Sequence, residues 1–317
     1  MPSCIFGIIF ILFDSRSTRF SGERHDSRNR IITYIPMQSD QNQYWSMTEG
    51  VFNCLIDTER TEAFQKAIRN TVKRGDIVVD LGSGSGVMAM FAADAGAAKV
   101  YAVEIDLRNI KTLRDTFAKN GYADVITVIE GDATSVVLPE KVDVIIAEMV
   151  ATGLIEELQI PAMNNALMYK KERTRVVLSR IDNYIDLVFN NPVFYNHTFN
   201  IFRYEYPDIE QLRSNSFSDR IIYSSIDFNH VCSERNVDAT YEVSITNDGV
   251  INALRISTDT FFADNSTLGP TYAYAYPLIL PIPESKVKKG DIFSVKVSYE
   301  LCGGFDGFSY SVTKKNV

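Results

Sequence analysis

A glycine-rich turn is the stretch of this sequence best suited to hold a small molecule. Gly82, Gly84 and Gly86 follow an acid, Asp80, at the end of an apolar run rich in β-branched residues. Glycine permits positive φ and lets a ligand approach the backbone, because it has no side chain. A helix that begins near Gly86 would also offer free N–H groups to an anion or carboxylate. The pattern therefore predicts a ligand site where a strand turns into a helix.

A second acid, Glu104, ends the next apolar segment at 99–103. In a βαβ unit, this position can accept hydrogen bonds from both hydroxyls of a ribose. Dinucleotide sites have the spacing G-x-G-x-x-G, whereas here the third glycine comes one residue early and Val87 follows it. The spacing therefore favours a different ligand that contains ribose.

Two further carboxylates, Glu148 and Glu157, bracket the segment EMVATGLIEE after an apolar run at 142–147. A guanidinium group is planar, and its paired N–H donors match carboxylate geometry. Two carboxylates could hold its positive charge toward one nitrogen and free electron density on another nitrogen for attack on an electrophile. Such a reaction depends on orientation and fixed charges. We therefore predict Glu148 and Glu157 as catalytic residues, with no bound metal.

Helices and strands alternate along the part of the chain that positions these residues. The predicted strands are 77–79, 99–103, 125–129 and 142–147, and the predicted helices between them are 87–97 and 107–120. Ligands of such sheets bind outside the carboxyl ends of the strands, so Glu104, Asp132 and Glu148 should meet at one edge. The predicted fold class is α/β, with a Rossmann-like sheet.

The pattern changes near residue 174, where eight strand-like segments follow one another without predicted helices. Asn247-Asp248-Gly249 lies between two of these segments and is a strong hairpin signal. We therefore predict a sandwich or barrel in this part of the chain. The predicted domains are a disordered or non-native extension at 1–43, a ligand-binding domain at 44–172 and an all-β domain at 173–317.

Composition limits the classes of protein that fit. The 317 residues are 45% hydrophobic and carry a net charge of -8, which argues against a broad DNA- or RNA-binding face. The four cysteines lack C-x-x-C spacing, and only three histidines are present, so a cytoplasmic protein without structural zinc is expected. The apolar run at 5–13 is too short to span a bilayer, so we expect no stable membrane association.

Three segments resemble the protein arginine methyltransferases, which are class I S-adenosylmethionine-dependent enzymes. CLIDTERTEAFQKAI at 54–68 is similar to the family's amino-terminal helix motif, and VVDLGSGSGVMAMFAADAGAAKVYAVE at 78–104 is similar to its cofactor motif. AEMVATGLIEE at 147–157 is similar to the double-glutamate loop, with the same separation between the two acids. The resemblance covers about residues 44–317 and implies a seven-stranded methyltransferase domain followed by a β-barrel-like domain.

The resemblance also implies a cofactor, S-adenosyl-L-methionine, and a set of contacts to it. Arg60 inherits the family's contact with the cofactor carboxylate, and Asp132 would lie beside the adenine. The implied acceptor is a protein with an exposed arginine, and a homodimer is one possible assembly. The expected cofactor-binding residues are Arg60, Asp80, Gly82, Ser83, Gly84, Gly86, Glu104, Ile105, Asp132, Ala133 and Glu148.

The sequence departs from the family pattern around the acceptor. Met149 occupies the position of a tryptophan, and Tyr272 and Ala273 follow Thr271 where the family has histidine and tryptophan. Methylation of protein arginine is the favoured function. The alternatives are a methyltransferase for RNA or a small-molecule amine, and a cofactor-binding protein without turnover.

Overall fold

A parallel sheet with flanking helices forms the first part of the structure. The computed structural model describes residues 48–206 and 209–315. The parallel strands are β1 (Ile77–Leu81), β2 (Lys99–Glu104), β3 (Ile126–Glu130), β4 (Val142–Ala147) and β5 (Lys170–Val176). The helices are α1 (Thr48–Ile56), α2 (Thr58–Thr71), α3 (Val87–Asp94), α4 (Leu107–Lys119) and α5 (Gln159–Ala166).

The order of the strands in this sheet is β3-β2-β1-β4-β5. Asp80 on β1 pairs with Ala102 on β2 and with Ile146 on β4, so the sheet reverses its winding direction at β1. A crevice forms at such a switch point, outside the carboxyl ends of the strands. The predicted α/β class is therefore confirmed. The predicted count of seven strands is not, because the described chain contributes five strands to this sheet.

The rest of the described chain is antiparallel. Its strands are β6 (Leu178–Phe189), β7 (Val193–Phe194), β8 (His197–Thr198), β9 (Arg203–Tyr204), β10 (Asn215–Ser216), β11 (Ile221–Asp227), β12 (Asn236–Ser244), β13 (Gly249–Phe262), β14 (Thr267–Leu268), β15 (Leu278–Val287), β16 (Ile292–Glu300) and β17 (Ser309–Lys314).

These strands form three separate sheets. The largest has the order β10-β6-β13-β15-β9, with β11 paired to β6 and β14 paired to β13. The second is β12-β16-β17, and the third is the pair β7-β8. The predicted all-β character is confirmed, whereas a closed barrel is not.

Local sequence explains where the helices begin and which face they bury. Asp57 caps α2, since its carboxylate accepts a hydrogen bond from the Arg60 N–H at 3.1 Å. The predicted apolar face of α2 is confirmed, because Phe64, Ala67 and Ile68 are fully buried. The same spacing of three and four residues places the buried face of α4 against the sheet.

One continuous apolar core joins the parallel sheet to the antiparallel region. Phe64 on α2 packs edge-to-face against Phe262 on β13, with 4.9 Å between the ring centroids. The predicted domain boundary between 172 and 173 falls inside β5. The predicted extension at 1–43 lies outside the described residues, and no helix in the described part of the chain is long and apolar enough to cross a membrane.

Candidate active site

A cavity of about 250 Å³ lies at the carboxyl ends of β1, β2 and β4, where the switch-point rule places a ligand. It brings together residues that are up to 223 positions apart in the sequence, from Gly50 to Ala273. The predicted site residues that line it are Arg60, Asp80, Gly82, Ser83, Gly84, Glu104, Ile105, Asp132, Ala133, Glu148 and Glu157.

Gly86 is the predicted site residue that does not line the cavity. It precedes α3 with a φ of 80°, in the left-handed region. A Cβ atom here would lie 2.6 Å from the Phe117 ring and 2.7 Å from Leu113 on α4. The predicted contact between Gly86 and the cofactor is therefore not supported. This glycine lets two helices pack closely instead.

Glu104 ties the glycine turn to the end of β2. One carboxylate oxygen accepts a hydrogen bond from the Gly84 N–H at 2.8 Å. The other accepts hydrogen bonds from the N–H groups of Ile105 at 2.9 Å and Asp106 at 2.8 Å. A carboxylate has about four lone-pair sites, so Glu104 keeps the capacity to accept a further bond from a ribose hydroxyl.

Asp80 is buried beside this turn, with 2% of its surface exposed. Its Oδ2 atom is buried and has no hydrogen-bond partner within the described residues. Burial, followed by the charge of Glu104, raises the pKa of Asp80 to about 7. An orphaned acceptor beside a glycine cradle fits a ligand that carries both a ribose and a positive charge. S-adenosylmethionine has this chemistry.

Arg60 and Glu148 form a buried ion pair in the wall of the cavity. The guanidinium Nη1 of Arg60 also donates to the Cys54 carbonyl oxygen at 3.0 Å, while its Nε has no partner among the described residues. Burial opposes the charged form, but the Glu148 carboxylate raises the pKa of Arg60 above its ordinary value. Glu148 is therefore already matched to one cation.

Glu157, in contrast to Glu148, has no cationic partner within the described residues. Its half-buried carboxylate lines the cavity and makes no hydrogen bond or ion pair within the described chain. Burial, with the charges of Glu148 and Glu156, raises the pKa of the Glu157 carboxyl well above that of an ordinary glutamate. The cavity wall thus has more acidic than basic groups, which suits a cationic acceptor.

The loop that carries both glutamates is anchored to the antiparallel region. The Gly153 N–H donates to Thr258 Oγ1 at 2.9 Å, and Tyr299 Oη donates to the Gly153 carbonyl oxygen at 2.7 Å. Tyr223 lies 2.8 Å from Tyr299, oxygen to oxygen. Gly153 has a φ of 70°, where a side chain would be strained. Two more backbone bonds attach the loop, from Cys302 to Leu154 and from Gly304 to Ile155.

The helix α1 forms part of the cavity wall and adds residues that the sequence did not predict. Cys54 lines the cavity, and its sulfur lies 3.8 Å from the Ala273 carbonyl oxygen. Burial and then the charge of Glu148 raise the pKa of Cys54 to about 12, so the thiol stays neutral. The sequence gives no signal for Cys54, because its position depends on how α1 packs.

The replaced family motif has a structural role. Thr271 Oγ1 donates a hydrogen bond to the Asp57 carboxylate, and the Ala273 N–H donates to the same oxygen at 2.7 Å. Asp57 is also the cap of α2. The segment that carries Tyr272 and Ala273 is therefore fixed to the helix that positions Arg60.

A switch-point crevice, an acid before a glycine turn and a second acid at the end of β2 together define a class I S-adenosylmethionine-dependent methyltransferase. The family model for ribosomal protein L11 methyltransferase (PrmA) matches residues 58–181. The uncharacterized protein MJ1452 of Methanocaldococcus jannaschii is 32% identical over 268 residues, which cover 82% of this chain and 95% of that protein. The chain belongs to the same family as MJ1452.

Two further similarities concern protein arginine methyltransferases. The enzyme PRMT10 of Oryza sativa subsp. japonica is 45% identical over 105 residues, which are 32% of this chain and 27% of that enzyme. The Trypanosoma brucei PRMT1 enzyme-prozyme heterotetrameric complex with AdoHcy contains a chain with the same fold, with a TM-score of 0.68 and 18% identity. That superposition covers 85% of this chain and 98% of the other. The predicted resemblance is confirmed.

Proposed function

We propose that this methyltransferase modifies guanidinium nitrogens of arginine side chains in proteins. The observation that carries the proposal is the pair Glu148 and Glu157 on one wall of the cavity, with Arg60 as the partner of only one of them. A guanidinium group can present two N–H donors to each carboxylate. The match of planar donors and fixed acceptors favours arginine over a point charge such as lysine.

The residues of this chain would orient the acceptor and handle its proton. S-adenosylmethionine supplies a methyl group on a sulfonium, which a nitrogen lone pair can attack. Glu148, held by Arg60, would fix the acceptor. Methylation of a guanidinium releases one proton as the new C–N bond forms. The raised pKa of Glu157 makes its carboxylate the better acceptor for that proton.

The roles of the cofactor-binding residues are part of the proposal. Arg60 would pair with the cofactor carboxylate, and Asp80 with its positive charge. Glu104 would bind the ribose, and Asp132 would accept from the adenine amine. These assignments rest on the cavity that the four side chains share. The remaining proposed backbone contacts are those of Gly82, Ser83, Gly84, Ile105 and Ala133.

The division of labour along the chain is also proposed. Residues 44–172 would bind the cofactor, and the β-rich region at 173–317 would form a barrel-like platform for the protein substrate and for a homodimer contact. We propose a cytoplasmic location. The support is the cysteine usage and the acidic composition of the chain.

The glutamine variant of Glu157 tests the proposed role most cleanly. Glu157→Gln should lower methyl transfer to an arginine peptide by about 100-fold or more, since it removes a fixed charge and a proton acceptor. The dissociation constant of the cofactor, measured by calorimetry, should change by less than about threefold, because Glu157 is not one of the proposed cofactor contacts. Glu172→Gln, at an exposed position on β5, is the matched control.

Full activity in Glu157→Gln would refute the proposed roles of Glu157 in binding the guanidinium and accepting its proton. The variant Glu148→Gln should behave differently from Glu157→Gln, because Glu148 is the ion-pair partner of Arg60. It should weaken cofactor binding as well as methyl transfer.

A second candidate, methylation of RNA or of a small-molecule amine, has one observation in its favour. Ala273 and the exposed Tyr272 replace the larger aromatic wall expected beside an arginine. Parallel assays with arginine peptide, lysine peptide and RNA separate the candidates. The net charge of -8 favours the protein substrate, because it opposes the approach of a polyanion.

A further inference from the structure

Three tyrosines gather beside the double-glutamate loop. Tyr204, Tyr206 and Tyr276, here called the tyrosine cluster, are each half-buried. The ring centroids of Tyr206 and Tyr276 are 4.9 Å apart, and those of Tyr204 and Tyr276 are 6.2 Å apart. Tyr204 lies on β9 and Tyr206 follows it two residues later, and both rings contact the Tyr276 ring. The cluster does not line the cofactor cavity.

Glu156 links this cluster to the loop. Tyr204 Oη donates to Oε2 of Glu156 at 2.7 Å. Burial and the charges of Glu156 and Glu157 raise the pKa of Tyr204, so its phenol stays protonated and continues to donate. The other oxygen of Glu156 has no partner in the described part of the chain, and no cation there pairs with this residue.

Further hydrogen bonds join the double-glutamate loop to the segment that carries Tyr276. Thr152 Oγ1 donates to the Tyr276 carbonyl oxygen at 2.5 Å, and the Tyr276 hydroxyl bonds to the Tyr272 carbonyl oxygen. Glu157 lies in the wall of the cofactor cavity, whereas its neighbour Glu156 turns toward the tyrosines. Of these two adjacent carboxylates, Glu157 therefore faces the cofactor cavity and Glu156 faces the tyrosine cluster.

We propose that Glu156 and the tyrosine cluster form a second cation subsite, which binds a lysine or arginine near the arginine that is methylated. The inference deepens the proposed function and depends on it. Aromatic faces attract cations, and the attraction grows when the site is partly desolvated. An unpaired carboxylate held by a phenol adds a fixed negative charge to those faces. The acceptor side would then recognise arginines in basic segments of proteins.

Peptides with one arginine and different neighbours test the subsite. Three peptides of equal length carry the arginine between glycines, between lysines or between glutamates. For the native chain, the ratio of kcat/KM for the lysine peptide to that for the glycine peptide should exceed about tenfold, with the glutamate peptide poorest. In Glu156→Gln, this ratio should fall toward one.

Further variants separate the charge from the rings. Tyr204→Phe keeps the ring and removes the hydrogen bond to Glu156, so the ratio should fall by about two- to fivefold. Tyr276→Leu removes a ring and should have a similar effect. The control Glu172→Gln removes the same charge from an exposed position and should keep the native ratio. A native ratio in Glu156→Gln, or a ratio near one in the native chain, overturns the subsite.

Binding measurements distinguish this inference from the proposed function. The affinities of the three peptides are measured by calorimetry in the presence of S-adenosylhomocysteine, which requires no turnover. A basic-neighbour preference that is lost in Glu156→Gln, without methylation of any peptide, supports the subsite and overturns the proposed reaction. Methylation of all three peptides with equal affinities overturns the subsite alone.

Discussion

At the scale of single residues, the site depends on acids in unequal environments. Glu148 is paired with Arg60, Glu157 is unpaired in the cavity wall, and Asp80 is buried with one orphaned oxygen. The sequence predicted the residues but not their states, because pairing and burial depend on chain segments that are distant in sequence. Gly86 illustrates the same limit, since its spacing cannot distinguish ligand approach from the packing of α3 on α4.

Asp80 should make the folded state less stable as the pH rises. Its pKa of about 7 lies above the ordinary 3.8, so folding favours the protonated form. That stabilisation is complete below pH 3.8 and is lost as the pH rises through 7. Asp80→Asn should therefore gain about 3 to 4 kcal/mol in free energy of unfolding, relative to the native chain, as the pH rises from about 4 to about 8, with no further gain above.

Urea unfolding at several pH values measures this difference directly. Asp124→Asn, the same substitution at an exposed position, is the control. Asp80→Asn should also bind S-adenosylmethionine more weakly, because the ionised carboxylate would pair with its positive charge. A pH-independent difference for Asp80→Asn, together with native cofactor affinity, would contradict the role given to this residue.

At the scale of elements, the sequence predicted the α/β half well and the β-rich half only in outline. Clear sequence patterns predicted the strands that carry Asp80 and Glu104 and the helix Leu107–Lys119, and the structure contains all three. Strands of two residues, such as Val193–Phe194, have no sequence signal because only pairing defines them. The contribution of α1 to the cavity wall was also not predictable, because packing rather than periodicity sets the position of this helix.

The double-glutamate loop should hold its two carboxylates less precisely when the hydrogen bond from Tyr299 is removed. Tyr299→Phe deletes the donor to the buried Gly153 carbonyl oxygen, which costs about 1 to 3 kcal/mol. We expect kcat for methyl transfer to fall about tenfold, while the cofactor dissociation constant stays within about twofold of the native value. Stopped-time methylation assays and calorimetry measure the two quantities.

Tyr241→Phe is the matched control for the loop anchor. It removes a similar hydroxyl, which donates to the Tyr223 carbonyl oxygen at 2.6 Å without touching the loop. Equal losses of kcat in the two variants would indicate general destabilisation and would remove the positioning role of Tyr299.

At the scale of the whole molecule, one apolar core runs through both regions of the chain. Two contacts cross to the antiparallel strand β13: the Phe64 ring of α2 packs on Phe262, and the Gly153 N–H donates to Thr258. The cofactor site and the acceptor side are therefore parts of one packed body. The net charge of -8 adds a long-range attraction for basic proteins.

Thermal unfolding should show whether the two regions of the chain unfold together. We expect one thermal transition, at the same temperature by far-ultraviolet and near-ultraviolet circular dichroism. S-adenosylhomocysteine at about 100 times its dissociation constant should add about 2.7 kcal/mol and raise that single transition by several degrees. Two separate transitions, of which the ligand moves only one, would contradict the continuous core.

The most direct measurement of the central claim is the identity of the methylated atom. The native chain and Glu157→Gln are incubated with isotope-labelled S-adenosylmethionine and with the protein and RNA of the source organism, and the products are digested and analysed by mass spectrometry. We expect label on arginine guanidinium nitrogens with the native chain and at least about 100-fold less label with Glu157→Gln. Label on lysine, RNA or small molecules, or no transfer by a chain that binds the cofactor, would contradict it.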